Sequence, residues 1–140
     1  MKNSQETKQW GDITDPFVKL SNAFIDERGY IQSLVEGGGV HSVQIISSKA
    51  KTTRANHWHQ KDSHYLYMLN GSMEYYYRPH GYAGDPLCVV VRKGDLIFTP
   101  PKVEHATYFL EDSVFLNITT CPRDQENYEL DTIRVDLVRK

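Results

Sequence analysis

Short runs of β-forming residues, separated by turn-forming residues, recur along the 140-residue sequence and constrain its fold more than any other feature. The run from Tyr65 to Leu69 ends at Asn70-Gly71, a strong signal for a hairpin turn. No segment sustains the 3.6-residue apolar period of an amphipathic helix. Many short strands at even spacing are typical of a β-sandwich or β-barrel. We therefore predict an all-β fold.

The predicted strands fill a single domain over residues 1–140. Residues 1 to about 12 are polar and are expected to form a flexible arm. The polar tail from Arg123 is predicted either to close the sheet or to form a short helix. The predicted strands are Phe17–Leu20, Tyr30–Val35, Val40–Ser47, Tyr65–Leu69, Met73–Arg78, Leu87–Val91, Leu96–Thr99, His105–Leu110 and Val114–Thr119.

Composition and charge exclude several classes of protein. Lys+Arg 16 against Asp+Glu 18 gives a net charge of -2, whereas a dedicated nucleic-acid binder needs a basic face. The apolar runs are too short to span a bilayer, and the polar N-terminus has no apolar signal-peptide core. Cys88 and Cys121 form no CxxC pair and are expected to be reduced thiols. We expect a cytoplasmic protein that binds neither nucleic acid nor membrane.

Four of the six histidines fall in two informative clusters. Side chains alternate along a strand, so His57 and His59 project from the same face. His64 opens the next predicted strand and His105 begins another, so both can return to the same point. Taken alone, the His-x-His pair fits two solvent-facing histidines on an edge strand equally well. Taken together, the four predict a site for one divalent transition metal, with Zn, Ni, Fe and Mn as candidates.

Two segments resemble the motifs of the cupin superfamily. His57-Trp58-His59 matches the His-x-His pair of the first motif, His64 stands where that motif has glutamate, and Gly71 matches its glycine. The second motif is matched by Gly94, Pro100 and His105. The resemblance covers about residues 40 to 120. It implies a double-stranded β-helix, or jelly roll, with the metal inside its mouth.

The histidine at position 64 changes the expected charge of the site. A glutamate ligand would offset one charge of a divalent ion, whereas four neutral histidines leave the charge of the ion uncompensated. Such a site favours an anionic or enolate-like oxygen ligand.

Two further segments are similar to the dTDP-linked ketosugar isomerases and epimerases of polysaccharide biosynthesis. Asp26-Glu27-Arg28-Gly29-Tyr30 is similar to their Asp-x-Arg-Gly-aromatic segment. Arg54-Ala55-Asn56-His57-Trp58-His59 is similar to their Arg-Gly-x-His-x-His segment, with Ala55 in place of glycine. The resemblance implies that Arg54 and Arg28 bind the nucleotide-linked substrate and that His57 and His59 move protons beside a sugar carbonyl. Those enzymes typically work without a metal, so His64 sets this chain apart from them.

The chemistry of two residue types bears on the same site. The guanidinium of Arg54 presents a bidentate fork to phosphate or carboxylate, and a surface ion pair is its alternative role. Tyr75 and Tyr77 share one face of a predicted strand, with Tyr76 on the other. Tyr75 and Tyr77 are candidate catalytic residues, and packing with a satisfied hydroxyl is the alternative for both.

Three functions remain open from the sequence. The first is an isomerase or epimerase of a carbonyl-bearing sugar, possibly nucleotide-linked, in which a metal polarises the carbonyl and a histidine or tyrosine carries the proton. The second is a metal-dependent dioxygenase. The third is a non-catalytic cupin that binds a sugar or small acid. Because small barrels expose sheet edges, we also expect a homodimer, with the N-terminal strand from Phe17 as a candidate for exchange.

Overall fold

The computed structural model describes residues 15–140, so the predicted flexible arm lies outside the described residues. Within this range no helix has the length and apolar character needed to cross a membrane. In chain order the elements are β1 (Phe24–Asp26), β2 (Gly29–Ile31), β3 (Ser42–Ser48), β4 (Thr53–His59), β5 (His64–Asn70), β6 (Ser72–Pro79), β7 (Leu87–Arg92), β8 (Leu96–Thr99), β9 (Val103–Phe109), β10 (Ser113–Thr119), α1 (Gln125–Asp131) and β11 (Thr132–Arg134).

Two antiparallel sheets enclose the core. One has the strand order β3-β10-β5-β8 and the other the order β11-β4-β9-β6-β7, while β1 and β2 form a separate hairpin. Consecutive strands mostly alternate between the two sheets, as in a jelly roll. The predicted all-β jelly roll is therefore confirmed.

The core begins directly beneath the histidines. Along β5 the inward residues His64, Leu66 and Met68 are buried, while the residues between them are partly exposed. Tyr75 and Tyr77 project into the same core from β6 and are each 1% exposed. The apolar cluster fills the inside of the barrel and leaves its polar end to the histidines.

One predicted strand is wrong and another is too long. Phe17–Leu20 is not a strand, because it makes only one bridge, from Phe17 to Ile97 on β8. That partner strand has four residues and stops before Pro100-Pro101, so it offers little edge to pair with. The predicted strand Tyr30–Val35 ends at Ile31, because its only partner is the short strand β1. The tail forms both predicted alternatives, α1 and then β11, which pairs with β4.

A bulge interrupts β4 just before the His-x-His pair. The register of β4 against β9 shifts between Ala55 and His57. Ala55 and Asn56 have φ angles of 68° and 56°, in the left-handed region that favours glycine and asparagine. Ala55 stands where the ketosugar enzymes have glycine, and the left-handed backbone gives the physical reason for glycine there. The bulge resets the strand so that His57 faces inward opposite His105.

Candidate functional site

Three strands bring the four predicted histidines to one end of the barrel. His57 and His59 project from β4, His64 from the first position of β5, and His105 from β9. The ligating nitrogens of His57, His59 and His105 all lie within 4.8 Å of one another. The ring of His64 lies 5.1 Å from that of His105 and 5.7 Å from that of His59, measured between ring centroids. The structure therefore brings all four predicted residues together.

Hydrogen bonds fix which nitrogen of the His59 and His105 rings carries the proton. His105 Nδ1 lies 2.9 Å from the carbonyl oxygen of Val103, which can only accept, so Nδ1 carries the proton. Thr132 Oγ1 donates to the carbonyl of Tyr128 and so accepts from His59 Nδ1, 3.2 Å away. In both rings Nε2 is left with its lone pair.

Several buried imidazole nitrogens have no hydrogen-bond partner among the described residues. They are His59 Nε2 and both ring nitrogens of His64. His59 is 2% exposed and His64 is 7% exposed. Leaving a buried polar atom unpaired is unfavourable, so these atoms need a partner that residues 15–140 do not provide. Each neutral imidazole has one lone pair to offer, and imidazoles clustered at one end of the barrel are a donor set that a divalent transition metal accepts.

Burial keeps all four imidazoles neutral. The pKa of His57 is lowered to about 2, that of His59 to about 3 and that of His105 to about 4, while that of His64 lies well below its usual value. Loss of hydration inside the barrel is the main cause in each case, and the positive charge of Arg123 contributes to all four pKa shifts. Neutral imidazole is the form that binds a metal ion.

Acidic groups behind the cluster hold His59 and its loop in place. Asp131 lies 3.7 Å from His59 Nδ1 and accepts from the backbone N–H groups of Lys61 and Asp62. Asp62 is 2% exposed and pairs with Arg123. Such partners on the far side of a ligating histidine orient the ring and raise its basicity.

The histidines open onto a cavity of about 170 Å³. Of the other residues predicted for the site, Arg54 and Tyr75 line it. Tyr77 is buried beside Tyr75, with ring centroids 5.1 Å apart, but is not one of the lining residues. Arg28 lies in the β1–β2 hairpin, paired with Asp26, and does not reach the cavity of its own chain.

Arg54 and Tyr75 both have partners within the protein. Arg54 Nε donates to Ser48 Oγ and its Nη2 to the carbonyl of Ser47, so this side chain links β4 of one sheet to β3 of the other. The hydroxyl of Tyr75 hydrogen-bonds to Thr99 Oγ1, and burial raises the pKa of Tyr75 far above its usual value. Tyr75 therefore stays protonated.

Two cavity residues, Arg123 and Tyr128, were not among the predicted site residues. Arg123 follows β10, and Tyr128 lies on α1, where its hydroxyl is 3.5 Å from His57 Nδ1. The Arg123 guanidinium lies 5.2 Å from the centroid of the Tyr128 ring. In the sequence, Tyr128 was indicated only by a loose likeness of the polar tail to that of the ketosugar enzymes, and Arg123 belongs to no recognisable motif.

A jelly roll with a histidine-lined cavity at one end is the arrangement of the cupin-type fold. A scan against protein-family models and a search of curated proteins each found no match. Solved structures, in contrast, match over most of the chain. A double mutant of the QdtA 3,4-ketoisomerase from Thermoanaerobacterium thermosaccharolyticum, in complex with TDP, is 25% identical with a TM-score of 0.67, covering 84% of this chain and 85% of its own.

Two other sugar-nucleotide enzymes have the same fold. A 3,4-ketoisomerase from Helicobacter canadensis is 17% identical with a TM-score of 0.66, covering 85% of this chain and 86% of its own. The dTDP-4-dehydrorhamnose 3,5-epimerase from Sulfolobus tokodaii is 15% identical with a TM-score of 0.63, covering 79% and 78%. The predicted resemblance to ketosugar isomerases and epimerases is confirmed, and the activities of these neighbours agree with the predicted enzymatic function.

Proposed function

We propose that this protein is a metal-binding isomerase or epimerase that acts on a carbonyl-bearing, nucleotide-linked sugar. The observation that carries the proposal is the buried histidine cluster, whose unpartnered nitrogens face a cavity inside this fold. The ketoisomerase and epimerase neighbours support the reaction class. In such a reaction a proton leaves the carbon beside a carbonyl and returns to another carbon or to the other face.

His57, His59, His64 and His105 are the residues proposed to hold the metal. A bound divalent ion supplies Lewis-acid polarisation of a carbonyl oxygen. Val103 orients the ring of His105 and Thr132 orients the ring of His59, and both rings leave Nε2 free of a proton to act as a ligand.

A histidine that uses Nε2 as a ligand cannot use the same lone pair as a base. The predicted proton-carrying role of His57 and His59 therefore competes with their role as ligands. Tyr128 has its hydroxyl in the cavity beside His57, and we assign proton exchange with the substrate to this hydroxyl. Tyr75, which stays protonated, forms a wall of the cavity and shares a hydrogen bond with Thr99.

The two arginines predicted to bind the substrate, Arg54 and Arg28, differ in their position relative to the cavity. Arg54 lines the cavity and can exchange its neutral partners, Ser48 and Ser47, for phosphate oxygens. Arg28 is remote from the cavity of its own chain, so its substrate-binding role requires a second copy of the protein.

We propose that this second copy is present as a homodimer. The β1–β2 hairpin exposes Phe24, Ile25, Tyr30 and Ile31, each by 60% or more. The edge strand β3 exposes Ile45 by 70%. An exposed apolar hairpin and an open sheet edge are each unfavourable in water, and both are satisfied by pairing with another chain.

Solvent-deuterium exchange tests the proposed reaction. The metal-loaded protein is incubated in D₂O with a dTDP-linked 4-ketosugar, and the sugar carbons are followed by NMR. We expect deuterium beside the carbonyl with wild type and at least a tenfold slower exchange with His59→Gln. Oxygen uptake by the iron-loaded protein without exchange would instead identify a dioxygenase, and binding without exchange or oxygen uptake would identify a non-catalytic binding protein.

A further inference from the structure

Arg123 is the buried cation of the cavity, and one of its donors is unused. The side chain is 10% exposed, and it lines the cavity together with the four histidines. Its Nε donates to Asp62 Oδ2 at 2.8 Å, while its buried Nη2 has no hydrogen-bond partner among the described residues. A guanidinium N–H makes charge-assisted hydrogen bonds, so this unpaired N–H is a strong donor for an anionic acceptor.

Asp62 holds Arg123 in one orientation. The Asp62 carboxylate also accepts from the backbone N–H groups of Thr120 and Cys121, both at 3.1 Å, so it is itself fixed on two sides. The ring of Tyr128 supports the guanidinium from another direction. A donor that is immobilised before the ligand arrives loses little side-chain entropy on binding.

The charge of the cavity wall favours a negative ligand. Among the described lining residues there is no aspartate or glutamate, whereas Arg54 and Arg123 both contribute a positive charge. Arg54 has only neutral hydrogen-bond partners, Ser48 and Ser47. Asp62 offsets Arg123 from behind and is not part of the lining, so the wall keeps an excess of positive charge even before any metal binds.

We propose that Arg123 is a ligand-binding residue whose Nη2 donates to an anionic oxygen of the bound molecule beside the histidine cluster. That oxygen is either a carboxylate present in the free ligand or the enolate oxygen that forms during the reaction. The enolate source rests on the proposed isomerase function, and the carboxylate source does not. Arg123 thereby makes the cavity selective for ligands that carry or develop negative charge at this point.

Calorimetric titration with pyruvate, and with its neutral amide as the matched probe, tests the carboxylate source. We expect the metal-loaded wild type to bind pyruvate and not the amide. Arg123→Met should weaken pyruvate binding by about 10- to 100-fold, the contribution of one charge-assisted hydrogen bond. Arg123→Lys should recover only part of the affinity, because one ammonium cannot reproduce the fork that serves Asp62 and the ligand together.

Deuterium exchange into the dTDP-linked 4-ketosugar tests the enolate source. Here Arg123→Met should lower kcat by at least tenfold with little change in KM, because the interaction exists only once charge develops. Arg134→Met is the control for both arms, since Arg134 lies on β11 near His57 but does not line the cavity.

The outcomes separate the two proposals. If wild type binds pyruvate through Arg123 but exchanges no deuterium, the isomerase function is wrong and the anion site stands. If folded Arg123→Met, verified by circular dichroism, matches wild type in both arms, or if wild type responds to neither probe, the role of Arg123 is wrong. Asp62 keeps its backbone donors in the variant, so Arg123→Met is expected to fold.

Discussion

At the scale of single residues, His64 decides what the cluster can be. It stands where related motifs have a carboxylate, and both of its ring nitrogens are buried without a partner among the described residues. If His64 is a metal ligand, replacing it should lower the metal affinity and leave the fold intact.

We therefore expect His64→Ala to lower metal affinity by at least about tenfold, since even indirect supports of a metal site contribute about 10- to 100-fold. His64→Glu should retain the metal, because a carboxylate oxygen is also a ligand. Metal content by mass spectrometry after dialysis measures both. His41→Ala, at an exposed histidine, is the control, and full metal content in His64→Ala would exclude His64 from the site.

Asn56 joins the strand that carries the histidines to the tail of the chain. Its Oδ1 accepts from the backbone N–H groups of Leu137 and Val138, and its Nδ2 donates to the carbonyl of Val138. It does so from a left-handed backbone with φ 56°. Both the side chain and the backbone conformation are therefore needed at this position.

Asn56→Ala should lower the free energy of unfolding by about 2–4 kcal/mol, combining lost hydrogen bonds with a strained φ. Asn56→Gly keeps the conformation and loses only the hydrogen bonds, so a smaller loss is expected. Urea unfolding measures both, and equal losses in the two variants would show that the left-handed backbone contributes nothing.

At the scale of elements, the open edge of β3 and the β1–β2 hairpin carry the expectation of a dimer. Ile45→Lys places a charge on the exposed face of β3 and should shift the protein toward the monomer, as measured by light scattering after gel filtration. Leu130→Lys is the matched control, because Leu130 on α1 is exposed by 71% but lies outside this region. A wild-type monomer at micromolar concentration would contradict the proposal.

The sequence predicted strands wherever alternation and turn signals were both present, as in β5 through the Asn70-Gly71 turn. Gly71 has φ 100°, and an added Cβ would lie 2.7 Å from the backbone of Asp112. The predicted strand Phe17–Leu20 did not form, because strand pairing depends on the length of the partner strand. The local composition of a segment does not determine that length. The left-handed backbone of Ala55 and Asn56, which forms the bulge, was likewise not predicted from the sequence.

Some residues of the candidate site could be predicted from the sequence and others could not. The histidines were predictable because residue spacing along a strand fixes which side chains share a face. Arg123 was not, because its orientation depends on Asp62, 61 positions away in the sequence. Tyr128 reaches the cavity because α1 leads into β11, which pairs with β4 and so brings the tail back to His57. The local sequence pattern does not predict this tertiary arrangement.

At the scale of the whole molecule, a metal held by three strands should stabilise the fold. His57, His59, His64 and His105 come from both sheets, so an ion that they share links the sheets. Ligand binding at about 1,000 times its Kd stabilises a protein by about 4 kcal/mol. We expect chelator treatment to lower Tm by at least several degrees.

Calorimetry with and without the chelator measures this shift. His64→Ala, which binds the metal more weakly, should show a smaller decrease in Tm. Adding Zn back to the chelator-treated wild type should restore its original Tm. An unchanged Tm in protein shown to have lost its metal would contradict the proposed link between the sheets.

The positive wall formed by Arg54 and Arg123 also has a kinetic consequence. A field that attracts anions repels cations, so a divalent ion approaches the finished cavity against it. If a metal binds there, we expect loading to be easiest while β4, β5 and β9 are still assembling and exchange afterwards to be slow. The metal found in the purified protein would then reflect the ion supply of the cell at the time of synthesis more than the equilibrium preference of four imidazoles.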